Sequence, residues 1–182
     1  MGMEVKKVTF NGSEVSYSHD NDVLLIETGA LEYSSRDIIN VVYSGMPITG
    51  LIIGPNMHGD RTFFSDNWPN KARNWLPLVD HPYDKSTAEF VVIAPNHYQV
   101  ISNGLLVEKT NLNKELKKTH WKQSVPISCW LYALGVAECA VDYVDYFEGK
   151  SIQTWVYKQD SDNAFYDFKL PTKHPREVFS AY

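Results

Sequence analysis

Long apolar runs are missing from this sequence. Nothing in it approaches the ~20 residues that a membrane-spanning helix needs, so no membrane segment is read. Cysteine is scarce. Cys129 and Cys139 stand in an apolar stretch, where free thiols are commonly buried, and nothing near them suggests a disulfide or a metal pair. A basic stripe is missing too: the net charge is −5 with acids and bases interspersed, which argues against a nucleic-acid partner. Of the six histidines, at 19, 58, 81, 97, 120 and 174, none pairs with another at i+4, so the helical two-histidine zinc motif is absent. There is no G-x-S-x-G elbow for a serine nucleophile, no internal repeat and no low-complexity tract. The opening MGMEVKKVTF has no signal-peptide core. Met1-Gly2 ahead of Met3 reads as an added start, so the sequence leaves the localisation unknown while pointing to a soluble protein.

What is present is a chain of 182 residues with 43% hydrophobic and 13% aromatic content. That suits one domain with a true core; at this size about 70% of the unfolded surface is buried. The patterning is β almost throughout. Residues 5–10 and 14–18 flank Asn11-Gly12, a strong hairpin signal. Further strands are expected over 23–27, 38–43, 88–94, 99–102, 105–109, 117–125, 130–141 and 152–157, with Asn103-Gly104 as a second turn. Gly45, Pro47, Gly50, Gly54, Pro55 and Gly59 mark a long irregular stretch. No helix is expected before Pro171; Pro175-Arg176-Glu177 could open one. Short, regularly spaced strands with turns between them indicate a sandwich or open barrel. Residues 159–174, with an SDN run and Pro171, and with Pro175 just beyond, suit a domain boundary.

The segment Phe63 to Pro82, FFSDNWPNKARNWLPLVDHP, carries the most information. It sets Arg73, Asp80 and, just beyond, Asp84 against Trp68, Trp75, Leu76, Leu78 and Val79. Pro69, Pro77 and Pro82 stiffen its path and forbid a helix. Charges in a rigid aromatic loop are costly to bury unless they pair. An Arg73–Asp80 ion pair is the simple structural solution.

The segment resembles the signature stretch of the N-terminal β-domain of zinc aminopeptidases of the aminopeptidase N and leukotriene hydrolase type. Arg73, Pro77, Asp80 and Pro82 match the family's R-x-x-x-P-x-x-D-x-P in full, and Ser65 has the family spacing to Arg73. Tyr98, Ser102 and Asn103 resemble the family's strand ending in S-N. Pro126, Trp130, Leu131, Tyr132 and Ala133 resemble its P-x-x-x-Y-L-x-A strand, and Thr154-Trp155 its closing strand. The resemblance covers most of the chain, from about Val5 to Phe168.

It implies an all-β fold, an open saddle-shaped sandwich of mainly antiparallel strands, over residues 3–158. Residues 159–182 become the linker and the start of the connection to an absent catalytic domain. In the family that partner domain holds zinc through H-E-x-x-H and a downstream Glu, with a G-x-M-E-N strand for the peptide's amino end. This chain has neither motif, so it is expected to hold no cofactor and no catalytic residue of its own. The role implied is to cover the active-site cleft and restrict substrates to peptides with free N-termini. The first strands of the domain look to be missing, which predicts an exposed sheet edge and an edge-strand dimer.

One departure bears on the substrate side. The family's loop reads S/T-Q-x-E/Q, and its last residue helps hold the substrate's amino group. Here the tetrad is Ser65-Asp66-Asn67-Trp68. A tryptophan cannot bind an ammonium as a carboxylate does, but it can through its ring face. Asp66, Asn67 and Trp68 are the candidate substrate-binding residues of the whole enzyme.

Two other classes compete. The five Trp and eleven Tyr could form stacking platforms of a stand-alone module that binds carbohydrate or protein; a coplanar exposed row among Trp68, Trp75, Trp121 and Trp155 would mark it. Ser18-His19-Asp20 and Asp80-His81 suggest a small hydrolase, but neighbours on a strand point to opposite faces.

Overall fold

The computed structural model describes residues 2–31 and 36–180, with backbone alone at 170, 173 and 175–180. The strands follow in order: β1 (Met3–Phe10), β2 (Ser13–Glu14), β3 (Tyr17–Asp20), β4 (Val23–Ile26), β5 (Ile39–Gly45), β6 (Leu51–Pro55), β7 (Arg61–Ser65), β8 (Ser86–Pro95), β9 (Gln99–Ser102), β10 (Leu105–Asn111), β11 (Leu116–Ile127), β12 (Leu134–Ala137), β13 (Cys139–Phe147) and β14 (Lys150–Tyr157). One helix, α1 (Ser161–Ser180), ends the series. Hydrogen bonding orders the sheets as β2-β1-β5, β10-β11-β8, β6-β7-β12-β9, β13-β14 and β3-β4. The pairs β1–β2, β1–β5, β9–β12, β13–β14 and β3–β4 are antiparallel. Among the described residues no sheet closes into a barrel. This is the all-β, open-sheet class that the patterning indicated.

The β1–β2 turn shows why. Thr9 faces Glu14 and Phe10 faces Ser13, leaving a two-residue loop. Asn11 and Gly12 have φ of 49° and 85°, the left-handed pair that matches strand twist in a tight hairpin. The main partner of β1 is nevertheless β5, paired from Met3 with Gly45 to Phe10 with Ile39, with a register shift between Val5 and Lys7.

The chain divides into two compact units. The first comprises Met1–Ile52, Phe64–Glu89 and Lys122–Ala133; the second comprises Ile53–Phe63, Phe90–Trp121 and Leu134–Tyr182. Val8, Ala72, Trp75, Cys129 and Tyr132 are buried in the first, and Ala94, Val100, Val136, Ala137 and Val156 in the second.

The elements depart from the sequence expectation in four places. The stretch read as irregular contains β6 and β7. Asn56 organises their connection: its Oδ1 accepts from the backbone N–H of His58 and of Asp60, each at 2.9 Å. Gly54 and Pro55 lie on β6, the outermost strand of its sheet, where proline is tolerated. The strand expected over 130–141 is interrupted. A 3₁₀ turn spans Cys129–Leu131, begun by the Ser128 hydroxyl accepting from Trp130 N–H, and β12 and β13 follow. The expected strand over 14–18 likewise divides into β2 and β3.

The fourth correction is the helix. It starts at Ser161, ten residues before Pro171. The SDN run that reads as a turn lies in the first turn instead, where Asp162 suits the positive helix end. α1 packs on β13 and β14 within the second unit, with Thr154 and Thr172 hydroxyls 3.0 Å apart. His58 Nε2 lies 2.9 Å from Asp160 Oδ1, which ties the β6–β7 loop to the residue just before α1.

Candidate functional site

The signature segment lies in the first unit from Phe64 onward. It leaves β7 at Ser65, whose hydroxyl donates to the Tyr132 carbonyl at 3.1 Å. The Asp66 N–H donates to the Gly50 carbonyl at 2.7 Å. Gly50 has φ +83°, and a Cβ there would meet the Lys71 carbonyl oxygen at 2.2 Å, so no other residue fits. Between β7 and β8 the helical content is one 3₁₀ turn, Ala72–Asn74, as the three prolines require. Pro77 and Pro82 flank Asp80 in irregular backbone, Pro77 exposed and Pro82 half-buried.

Asp80 is the node of the segment, and its side chain is 1% exposed. Oδ2 accepts from Arg73 N–H at 3.1 Å and from Arg73 Nε at 3.3 Å. Arg73 Nη2 also donates to the Asp80 carbonyl at 3.3 Å. The expected ion pair is therefore present. Arg73 keeps half of its side chain in solvent, so the buried partner is the carboxylate. Oδ1 accepts from a group the sequence did not connect to it, the Cys129 thiol, at 3.3 Å. Burial pushes the Cys129 thiol up, and the neighbouring Asp80 carboxylate pushes it further. Cys129 is buried and Cys139 half-buried, both as free thiols.

The three candidate substrate residues part company. Asn67 is 3% exposed and turned inward. Its Nδ2 donates to the Tyr132 carbonyl at 2.7 Å and the Cys129 carbonyl at 3.4 Å, while its Oδ1 accepts from Trp75 Nε1 at 2.9 Å. An amide so engaged knits the loop to the 129–132 turn. Asp66 is half-buried and pairs with Lys71, whose Nζ is 2.5 Å from Oδ2. Trp68 is 60% exposed and stands edge-to-face with Trp130, centroids 4.4 Å apart and planes at 82°. The sequence reading did not single out Lys71; it took Gly50 only as a breaker in an irregular stretch and Trp130 only as part of a strand match.

The other candidate residues do not form a second site. Trp75 is 7% exposed. In the second unit, Trp121 Nε1 donates to the Val100 carbonyl and Trp155 Nε1 to Gln153 Oε1. Asp80 points inward, whereas His81 is exposed and stacks on Tyr83. His19 is half-buried while Ser18 and Asp20, its neighbours on β3, are exposed, the alternation that keeps such a triplet apart. Among the described residues no three His, Cys, Asp or Glu side chains come together in a group that could hold a metal, so no residue set here fits zinc.

Known proteins resemble the chain in sequence and in fold. Rat glutamyl aminopeptidase is 29% identical over 118 residues, covering 65% of this chain and 12% of that protein. Aminopeptidase A of Gloydius brevicauda is 34% identical over 96 residues, covering 52% of the chain and 10% of that protein. The chain thus spans about an eighth or less of the length of these relatives. Among solved structures, the M1 zinc metallopeptidase from Deinococcus radiodurans superposes with a TM-score of 0.70 at 22% identity, over 85% of this chain and 37% of that one. That likeness speaks to the fold. The sequence model described as the peptidase M1 N-terminal domain matches residues 3–131, and this chain belongs to that family.

Proposed function

We propose that this chain, over residues 3–158, is the non-catalytic N-terminal β-domain of a zinc metallo-aminopeptidase, a parent enzyme that hydrolyses N-terminal peptide bonds. Residues 159–182 lead toward the catalytic domain, its principal partner, and zinc belongs to that domain. The domain covers the active-site cleft and helps to restrict peptide substrates to those with free amino ends.

The observation that carries this reading is the division within the Ser65–Trp68 loop. Asn67 anchors the loop from inside; Trp68 stands exposed at the position where the resembled family meets the substrate's amino group, and Asp66 beside it is paired with Lys71. The substrate side therefore rests on Asp66 and Trp68, with Asn67 as their support. A carboxylate and an aromatic face are both suited to an ammonium.

The test is Trp68→Ala in the parent enzyme with aminoacyl anilides of several residue types. KM is expected to rise several-fold with kcat nearly kept, because a cation–π contact of about 1 kcal/mol is lost from substrate binding. Unchanged kinetics across all substrates would remove the loop from the substrate site.

A further inference from the structure

The indole N–H of Trp130 is enclosed and has no nitrogen or oxygen partner among the described residues. A buried donor in that position is costly. It has an aromatic neighbour in Trp68, edge-to-face at 4.4 Å. In such a pair the positive edge of one ring meets the negative face of the other. Of the two indoles, Trp130 is the one with a sealed N–H and Trp68 the one with 60% of its surface open. We propose that Trp130 donates its indole N–H into the inner face of Trp68, and that this contact positions Trp68 with its outer face free for an organic ammonium. Trp130 is then a positioning residue for the substrate's amino group, an inference that rests on the substrate-side reading above.

The surrounding bonds explain why Trp130 can do this. Its turn is fixed at both ends. Ser128 accepts from Trp130 N–H at 3.4 Å and from Leu131 N–H at 2.9 Å, and the Cys129 thiol holds to Asp80. The facing loop is sewn to the same turn by Ser65 and Asn67, both donating to Tyr132 O. Trp68 against Trp130 continues that seam outward by one residue. An N–H···π contact is weak in energy but directional, and one donor uses only one face of the ring. A primary ammonium or guanidinium approaching from solvent meets the other face.

The contact is tested on the 182-residue chain by nuclear magnetic resonance. The Trp130 indole proton is expected clearly upfield of the other four indole signals and slow to exchange, and to return to the ordinary position in Trp68→Leu. A Trp130 indole signal at the ordinary position, exchanging freely, overturns the proposal. In the parent enzyme, Trp130→Phe keeps a ring but removes the donor. It is expected to reproduce the several-fold KM rise of Trp68→Ala while kcat stays. If Trp68→Ala raises KM and Trp130→Phe does not, the positioning role is wrong. If neither moves KM although the indole signal is shifted, the substrate-side reading fails and the positioning role falls with it, leaving the ring contact as architecture.

Discussion

Asp80 is an almost fully enclosed carboxylate whose partners come from two segments, Arg73 from its own loop and Cys129 from the turn after β11. The Arg73 guanidinium is half in solvent, so its pairing is screened and worth little by itself. Removing the carboxylate instead leaves the Arg73 backbone N–H without its acceptor and the buried thiol with only the His81 carbonyl, 3.8 Å away. Asp80→Ala is therefore expected to destabilise the chain by about 3 kcal/mol, and Arg73→Met by about 1 kcal/mol. Urea unfolding of both variants checks this; equal losses would show that the guanidinium, not the carboxylate, is the costly group. The pairing of Arg73 with Asp80 was legible because two charges in a proline-stiffened aromatic loop have few other solutions. Cys129 was legible only as a buried thiol, since its contact with Asp80 joins residues far apart in sequence. Asn67 shows the converse. The sequence places it beside Asp66 and Trp68 on an exposed-looking polar run, and only the carbonyls of Cys129 and Tyr132 reveal that it points inward.

At the scale of elements, α1 poses the clearest physical question, because proline occurs inside it. Pro171 is exposed and has no N–H to give the carbonyl of Asp167 one turn earlier. Thr172 Oγ1 donates to the Phe168 carbonyl at 2.5 Å, a side-chain bond that tends to bend helices. The helix stands because it has a partner: it lies on β13 and β14, and tertiary packing outweighs propensity. Pro171→Ala is expected to raise helical circular dichroism and to stabilise the second unit by about 1–3 kcal/mol. Slower hydrogen exchange in residues 164–170 would accompany the change, and unaltered exchange would mean that Pro171 costs the helix nothing. The same reasoning explains what was hidden in the sequence. Alternation disclosed most strands, whereas α1 was masked by two prolines and an SDN run that also fits a turn. β6 and β7 were masked by glycines and a proline that an outer strand and an Asn56-centred loop accommodate.

At the scale of the whole molecule, the groups with displaced proton affinities set how the fold responds to alkali. Burial pushes up the Cys129 and Cys139 thiols and the Tyr43 phenol, the last donating to the Trp75 carbonyl at 2.9 Å. Each of these holds its proton more tightly folded than unfolded. The stability they give is whole below the ordinary thiol and phenol ranges and is lost as pH rises through the raised values. Lys117 works in the opposite sense. It is 5% exposed, its Nζ donates to the Asn96 carbonyl at 3.0 Å, and burial, with Lys109 nearby, pulls its ammonium down. It holds its proton less tightly folded than unfolded. Its penalty applies below the lowered value and is relieved as pH climbs toward the ordinary lysine range. Among the described residues three groups thus lose stability with rising pH and one gains it, so the melting temperature is expected to fall between about pH 8 and pH 11. Lys117→Met removes both the buried charge and a group with the opposing slope. It should be more stable than the parent chain by roughly 1 kcal/mol near neutrality, and its alkaline decline should be steeper. Thermal unfolding of the two proteins across that range decides the matter: parallel curves would show that the Lys117 ammonium is hydrated in the fold as it is on a surface.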